Sequence, residues 1–232
     1  MKVLKSPLTA LLLIALLTLI RFDRPLIRGD GVAYLAWLDT FVRDGDLDLN
    51  NQFERFRPVN TYQITWNDTT QRWVIVFPFG AAFLLAPFYE VGNVFAQNGW
   101  LDANPDYFAQ MQGVGLPYSL WIMIGTNALT LITVGLAWQI GRRFVSGWIA
   151  ALAVYALFIG TPLLFYSAIE PLNSHSTGAF ACTIFVYFLL RCTTTPRAAY
   201  RHDWADSYAP RTLDWIVLGV SAGLTILVRW QL

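Results

Sequence analysis

Residues 116–140 read LPYSLWIMIGTNALTLITVGLAWQI, 25 consecutive positions without Asp, Glu, Lys, Arg or His. A helix rises about 1.5 Å per residue, so this run is long enough to cross the roughly 30 Å hydrocarbon layer of a bilayer. Working outward, comparable apolar runs recur at about residues 8–22, 148–169, 176–190 and 213–228. The spacing predicts five spans and an all-α, polytopic membrane protein.

Composition points the same way. Of the 232 residues, 56% are hydrophobic and only 13% charged, whereas soluble domains carry about 25% charge. Many of the ten Trp, ten Tyr and sixteen Phe fall near the ends of the apolar runs, the level at which amphipathic rings settle in a membrane. A formal net charge of +1 and the lack of any Lys/Arg-rich block exclude a nucleic-acid footprint. Cys182 and Cys192 have no metal-ligand spacing around them and read as free thiols.

The first run follows Lys2 and Lys5 and is succeeded by Arg21-Phe22-Asp23-Arg24, with no small-residue cleavage site. It therefore reads as an uncleaved span with a cytoplasmic N-terminus. Residues 79–96 are apolar but include Pro87, Glu90, Gly92 and Asn93. Counting them as a span would put Arg142, Arg143 and the basic segment from Arg191 to Arg211 outside, against the positive-inside rule. They read instead as a membrane-surface or re-entrant helix within one large external loop, residues 21–115. The chain stops at Val228-Arg229-Trp230-Gln231-Leu232, directly after an apolar run, as the N-terminal part of a longer protein would.

With this topology, only the large loop and the turn Glu170-Pro171-Leu172-Asn173-Ser174-His175-Ser176 face outward. The loop opens with Arg28-Gly29-Asp30-Gly31, then Val32, Leu35, Leu38 and Val42 at helical spacing. Asp30 has two compatible readings: the N-cap of an interfacial helix, accepting hydrogen bonds from first-turn amides, or a boundary carboxylate placed to deprotonate an acceptor hydroxyl. The alternating acids from Asp44 to Asp48 resemble the start of a calcium loop, but the glycine at loop position 6 and the distal glutamate are missing. A solvated turn is the simpler reading. Asn67-Asp68-Thr69 fits a glycosylation sequon, a three-residue pattern of little weight. In the second turn, Glu170 and His175 either lie in water at a loop tip or contact a ligand beside the bilayer, where ionisable groups are costly. Two such residues five apart are not in themselves a metal signature.

In order and placement, Arg28-Gly29-Asp30-Gly31-Val32-Ala33-Tyr34-Leu35, Arg43-Asp44-Gly45-Asp46-Leu47-Asp48, the segment from Phe77 to Tyr89, Gly141-Arg142-Arg143 and Glu170 to His175 resemble a known family. It is that of the bacterial relatives of dolichyl-phosphate-mannose–protein mannosyltransferases, membrane glycosyltransferases of the GT-C fold (glycosyltransferase family 39). The resemblance implies a multi-pass protein of the bacterial inner membrane with its active site on the extracytoplasmic side. It implies Asp30 as catalytic base, Glu170 and His175 as donor- or metal-binding residues, and Arg229 as the positive charge near a lipid phosphate. The substrates would be a polyprenyl-phosphate-linked sugar and a glycan, lipid or protein acceptor, with a divalent metal ion as a possible cofactor. Many relatives have a second acid where Gly31 follows Asp30, which leaves the acceptor open. A transporter or flippase of lipid-linked substrates is the main alternative, expected to show broken helices and midplane charges. A non-catalytic scaffold is a third, expected to hold Asp30 and Glu170 apart.

Overall fold

The computed structural model describes residues 6–56, 64–100, 115–193 and 210–230. Lys2, Lys5 and positions 101–114 and 194–209 of the segments discussed above lie outside them. The chain is mostly helical. Helices α1 (Pro7–Phe22), α2 (Gly31–Asp39), α3 (Asn50–Phe56) and α4 (Gly80–Gln97) precede α5 (Leu116–Gly141), α6 (Gly147–Gly160), α7 (Pro162–Ala168), α8 (Ser174–Thr193) and α9 (Thr212–Val228). By length and apolarity α5 and α8 can each cross a membrane, and α6 with α7 makes a third crossing if taken as one bent span. The apolar helices α1 and α9 are shorter, 16 and 17 residues.

Two departures from the sequence reading are local. The run at 148–169 is not one helix: α6 and α7 meet at a bend of 69°. Pro162 disfavours helical backbone at the residue before it, and Thr161 is extended (φ −119°, ψ 168°), its hydroxyl accepting from Leu163 N at 3.4 Å to start α7. Nor is the fold purely helical, because β1 (Ile64–Asn67) and β2 (Arg72–Ile75) form an antiparallel hairpin pairing Ile64 with Ile75 and Asn67 with Arg72. The sequon Asn67 closes its turn, accepting from Thr69 N at 3.0 Å and Thr70 N at 3.1 Å.

The long helices pack side by side: α5 contacts α1, α6 and α8, and α8 contacts α9, with α5 and α8 running in the same direction so that Thr126 lies by Pro171 and Arg143 by Tyr187. Side chains such as Leu17, Ile20, Leu152, Leu157, Val220 and Ile226 point outward from this bundle. An apolar exterior of this extent suits contact with lipid or with another apolar surface. Inside lie Leu11, Ala15, Leu19, Val134, Trp138, Ala150 and Phe158.

The described residues between α1 and α5 fold into a cap over one end of the bundle, with a second core of Val32, Leu35, Leu38, Phe53, Leu85 and Tyr89 reaching Ile122 and Leu172. The expectation of an amphipathic interfacial helix at 32–42 needs correction here. Nearly every residue of α2 is buried, because α3 and α4 cover the face that the periodicity assigns to water. Beyond Asp39 the helix widens into a π-helical turn, Thr40–Asp44, which Gly45 ends in left-handed conformation (φ +73°). Helix α4 is docked by glycine. A Cβ on Gly92 would lie 2.9 Å from Tyr118 Cα, and one on Gly80 would run into the Leu227 backbone carbonyl and, at 2.5 Å, Val228 N. The second contact fixes the cap against the C-terminal end of α9.

Candidate functional site

Three connections meet beneath the cap: the α1–α2 link, the α7–α8 turn and the end of α9. Arg24 N donates to Ala168 O at 2.7 Å, bringing the first two together. The turn is held from below, since Thr126 Oγ1 donates to Pro171 O at 2.6 Å and the Ser167 hydroxyl lies 2.8 Å from that of Thr130 and 3.1 Å from that of Ser176. Buried hydroxyls are partnered here in a chain joining α5, α7 and α8, so the turn has little freedom to drift.

Asp30 stands at the start of α2 but does not cap it. Its backbone is right-handed helical (φ −62°, ψ −25°) and its side chain makes no capping hydrogen bond, so the N-cap expectation is overturned. An N-cap carboxylate needs extended backbone to fold back onto the amides of the first turn. The half-buried Asp30 instead acts electrostatically on the Tyr34 phenol and the His175 ring.

Around it, Arg229 Nη1 lies 2.8 Å from His175 Nδ1. A guanidinium only donates, so Nδ1 accepts, the imidazole is neutral and its proton sits on Nε2. The opposite constraint comes from Tyr166, which stacks on the imidazole with ring centroids 4.0 Å apart and planes 16° from parallel. Tyr34, 3% exposed, shares a hydrogen bond with Ser174; burial pushes its phenol up from the ordinary value, with that bond and Arg229 opposing. Glu170 faces Arg28, with Arg28 Nε 3.1 Å from Glu170 Oε1. Beside the Arg28–Glu170 pair a narrow crevice is lined by Leu26, Ile27, Arg28, Gly31, Glu170, Leu172 and Asn173.

Asp30, His175 and Arg229 are thus brought together, and Glu170 lies alongside through its own arginine. The pairing does not fit a metal shared by Glu170 and His175: the imidazole nitrogen bonded to Arg229 faces a positive charge, and Glu170 is committed to Arg28. Among the described residues no three His, Cys, Asp or Glu side chains come close enough to hold an ion. The acids at 44–48 are occupied too: Asp46 accepts from Thr40 Oγ1 at 2.6 Å and Asp48 N at 3.0 Å, and Asp44 from Asn51 at 2.8 Å.

The sequence reading missed Arg28, Tyr34, Tyr166 and Ser174. Only Arg28, two positions before Asp30, left a local signal. It also missed a buried carboxylate outside the site. Asp39, 3% exposed, accepts from Tyr89 Oη at 2.6 Å, Arg43 at 3.3 Å, Gln52 at 3.3 Å and Arg55 at 3.4 Å, joining α2, α3 and α4. Burial, first, and the adjacent carboxylate push the Tyr89 phenol far above its ordinary range, so it remains a donor.

Comparison of the chain with protein-family models, with curated proteins and with solved structures gives no match.

Proposed function

We propose that this chain belongs to a membrane glycosyltransferase that moves a sugar from a polyprenyl-phosphate donor to an acceptor hydroxyl on the extracytoplasmic side, with inversion. The observation that carries the reading is the meeting of a half-buried, non-capping Asp30 with the Arg229–His175 pair at one end of an apolar helical bundle. A carboxylate beside a guanidinium is what the transfer requires. The acceptor oxygen attacks the anomeric carbon as its proton passes to Asp30, and the carbon–oxygen bond to phosphate breaks with the electron pair leaving on phosphate. Arg229 and the Nε2–H of His175 supply positive charge and a donor for that leaving group, and no resident cation is needed for it. The donor's isoprenoid would lie along the apolar exterior of the bundle. In this reading the five runs all cross the bacterial inner membrane, α1 starts in the cytoplasm, and the cap is extracytoplasmic. Arg143 stacking over Tyr187 at 5.8 Å and the Arg191–Asp214 ion pair at 3.0 Å gather basic residues at the opposite end of the bundle, as the positive-inside rule asks.

One feature favours a second reading, a flippase of lipid-linked substrates: the 69° break between α6 and α7, since broken helices build transport sites. Against it, no charged residue stands at the break. The experiment is transfer of radiolabelled sugar from polyprenyl-phosphate donors in membranes carrying the full-length protein. The transferase reading expects donor-dependent transfer that Asp30→Asn lowers by about 10²-fold or more at equal expression. Transbilayer movement of the donor without transfer would replace it with the flippase.

A further inference from the structure

We infer that the edge of the cap formed by Phe41, Phe79 and Phe83 is seated in the headgroup layer of the bilayer beside the end of α9, with Trp230 completing the seat, so that the partner of this surface is membrane lipid. This rests on the membrane placement of the bundle given above and is independent of sugar transfer. Phe79 is the centre of the edge. The rings of Trp37, Phe41 and Phe83 surround it, with centroids 5.8, 5.1 and 6.3 Å away, and Trp37 is fixed from behind by donating its Nε1–H to Phe77 O at 2.9 Å. The outer rings are left open, Phe41 38% exposed and Phe83 50%. Apolar area in water is unfavourable in proportion to its size, and a contiguous exposed patch of this kind marks a contact surface.

The partner follows from the level at which the edge stands. A Cβ on Gly80 would lie 2.5 Å from Val228 N, so the start of α4, with Phe79 just before it, is level with the end of α9. The exposed side chains of α9 are ordered along its axis. Trp215 stands at its start, 50% exposed, and Trp230 just past its end, 64% exposed; between them Ile216, Val220, Ile226 and Leu227 are aliphatic. No charged residue occurs from Trp215 to Val228. Aromatic rings at two levels with aliphatic side chains between them is the order that two lipid–water boundaries impose, and a protein partner has no reason to impose it. Phe41, Phe79 and Phe83 extend the upper of these rows across the cap. Charge is placed to match, because the chain carries none from Trp73 to Tyr89, whereas the exposed Leu47 and Val74 stand next to Asp46, Asp48 and Arg72. Arg43, two residues past Phe41 and bonded to Asp39, sets the depth: it suits the headgroup layer, and the rings below it reach the acyl boundary.

The test uses the full-length protein, its native cysteines replaced by serine, in nanodiscs of phosphatidylethanolamine and phosphatidylglycerol. Nitroxide labels are attached singly to Phe41→Cys, Phe83→Cys, Trp230→Cys, Val220→Cys and Asp46→Cys, and collisions with oxygen, which concentrates in lipid, are compared with those of a water-soluble nickel complex. Labels at 41, 83 and 230 are expected to favour oxygen, less strongly than the label at 220 in the middle of α9, while the label at 46 favours nickel. Nickel favoured at 41 and 83 with oxygen favoured at 220 would overturn the seat and leave the bundle in the membrane. Nickel favoured at 220 too would overturn the membrane placement, and the seat with it. Shielding of 41 and 83 from both reagents would overturn the seat in favour of a protein surface. Hydroxyl-radical footprinting of the unsubstituted protein in the same nanodiscs is expected to spare Phe41 and Phe83 while oxidising Trp66, which is 37% exposed on the hairpin; oxidation of all three alike would also overturn it.

Discussion

Asp30 and Asp39 bound the same short helix and differ in almost every physical respect. Asp39 is buried and accepts hydrogen bonds from a phenol, an amide and two guanidinium groups on three elements. Asp30 is half-buried, makes no side-chain cap to its own helix, and sits where three connections converge with a neutral imidazole and a guanidinium. A carboxylate whose acceptor sites are filled by the fold is committed to holding the fold. One that acts on an imidazole and a phenol from other positions at the meeting of three connections is the one with capacity for chemistry. The contrast matters because sequence position would favour neither.

The contrast can be broken by substitution, and the largest effect is expected at the buried acid. Asp39→Ala strands Tyr89 and Gln52 in the cap and should destabilise the protein by about 3 kcal/mol, read as a lowered unfolding temperature in detergent, whereas Asp30→Asn should leave that temperature within about 1 °C of wild type while removing transfer. Equal losses of stability would erase the distinction. Gly80→Ala comes next. Its methyl group meets the Leu227–Val228 backbone, where nothing can rotate away, so a loss of about 2 kcal/mol is expected. Because Val228 leads directly to Arg229, the variant should also weaken donor binding, a rise in KM that a purely structural defect elsewhere in the cap would not give. The smallest effect belongs to Tyr89→Phe, which deletes one donor from a carboxylate that keeps three others, about 1 kcal/mol in the same unfolding measurement. A loss as large as that of Asp39→Ala would mean that the phenol, not the arginines, is the main partner of Asp39.

Much of the helical framework was legible, and the reasons are specific. α5 follows from the uninterrupted apolar run at 116–140, and the apolar stretches behind α1, α8 and α9 match those helices to within a few residues. The break at Thr161 was not legible from hydropathy because Gly160-Thr161-Pro162 is flanked by apolar residues on both sides; only the proline signalled it. The hairpin at 64–75 sits in a short polar stretch where the alternation of Ile64, Trp66, Trp73 and Ile75 spans too few residues to stand out. Asp39 was not singled out, since periodicity cannot tell a water-facing position from one that a later segment covers.

At the site the division is sharper. Asp30, Glu170, His175 and Arg229 could be singled out by type and place, because ionisable groups beside long apolar runs are costly and few. Their pairings could not. Arg28 meets Glu170 across 142 positions and Arg229 meets His175 across 54, and which of several arginines reaches which acceptor depends on how the helices pack. The amino-acid sequence by itself determined that this chain is apolar, helical and edged by a handful of acids and arginines, because hydrophobic length and charge placement are local properties. Only the tertiary structure decided that Glu170 faces Arg28, that Arg229 bonds His175, and that the Asp39 side chain serves the cap while the Asp30 side chain does not cap its helix. Those are contacts between elements distant in the chain, and their geometry exists only once the cap has closed on the bundle.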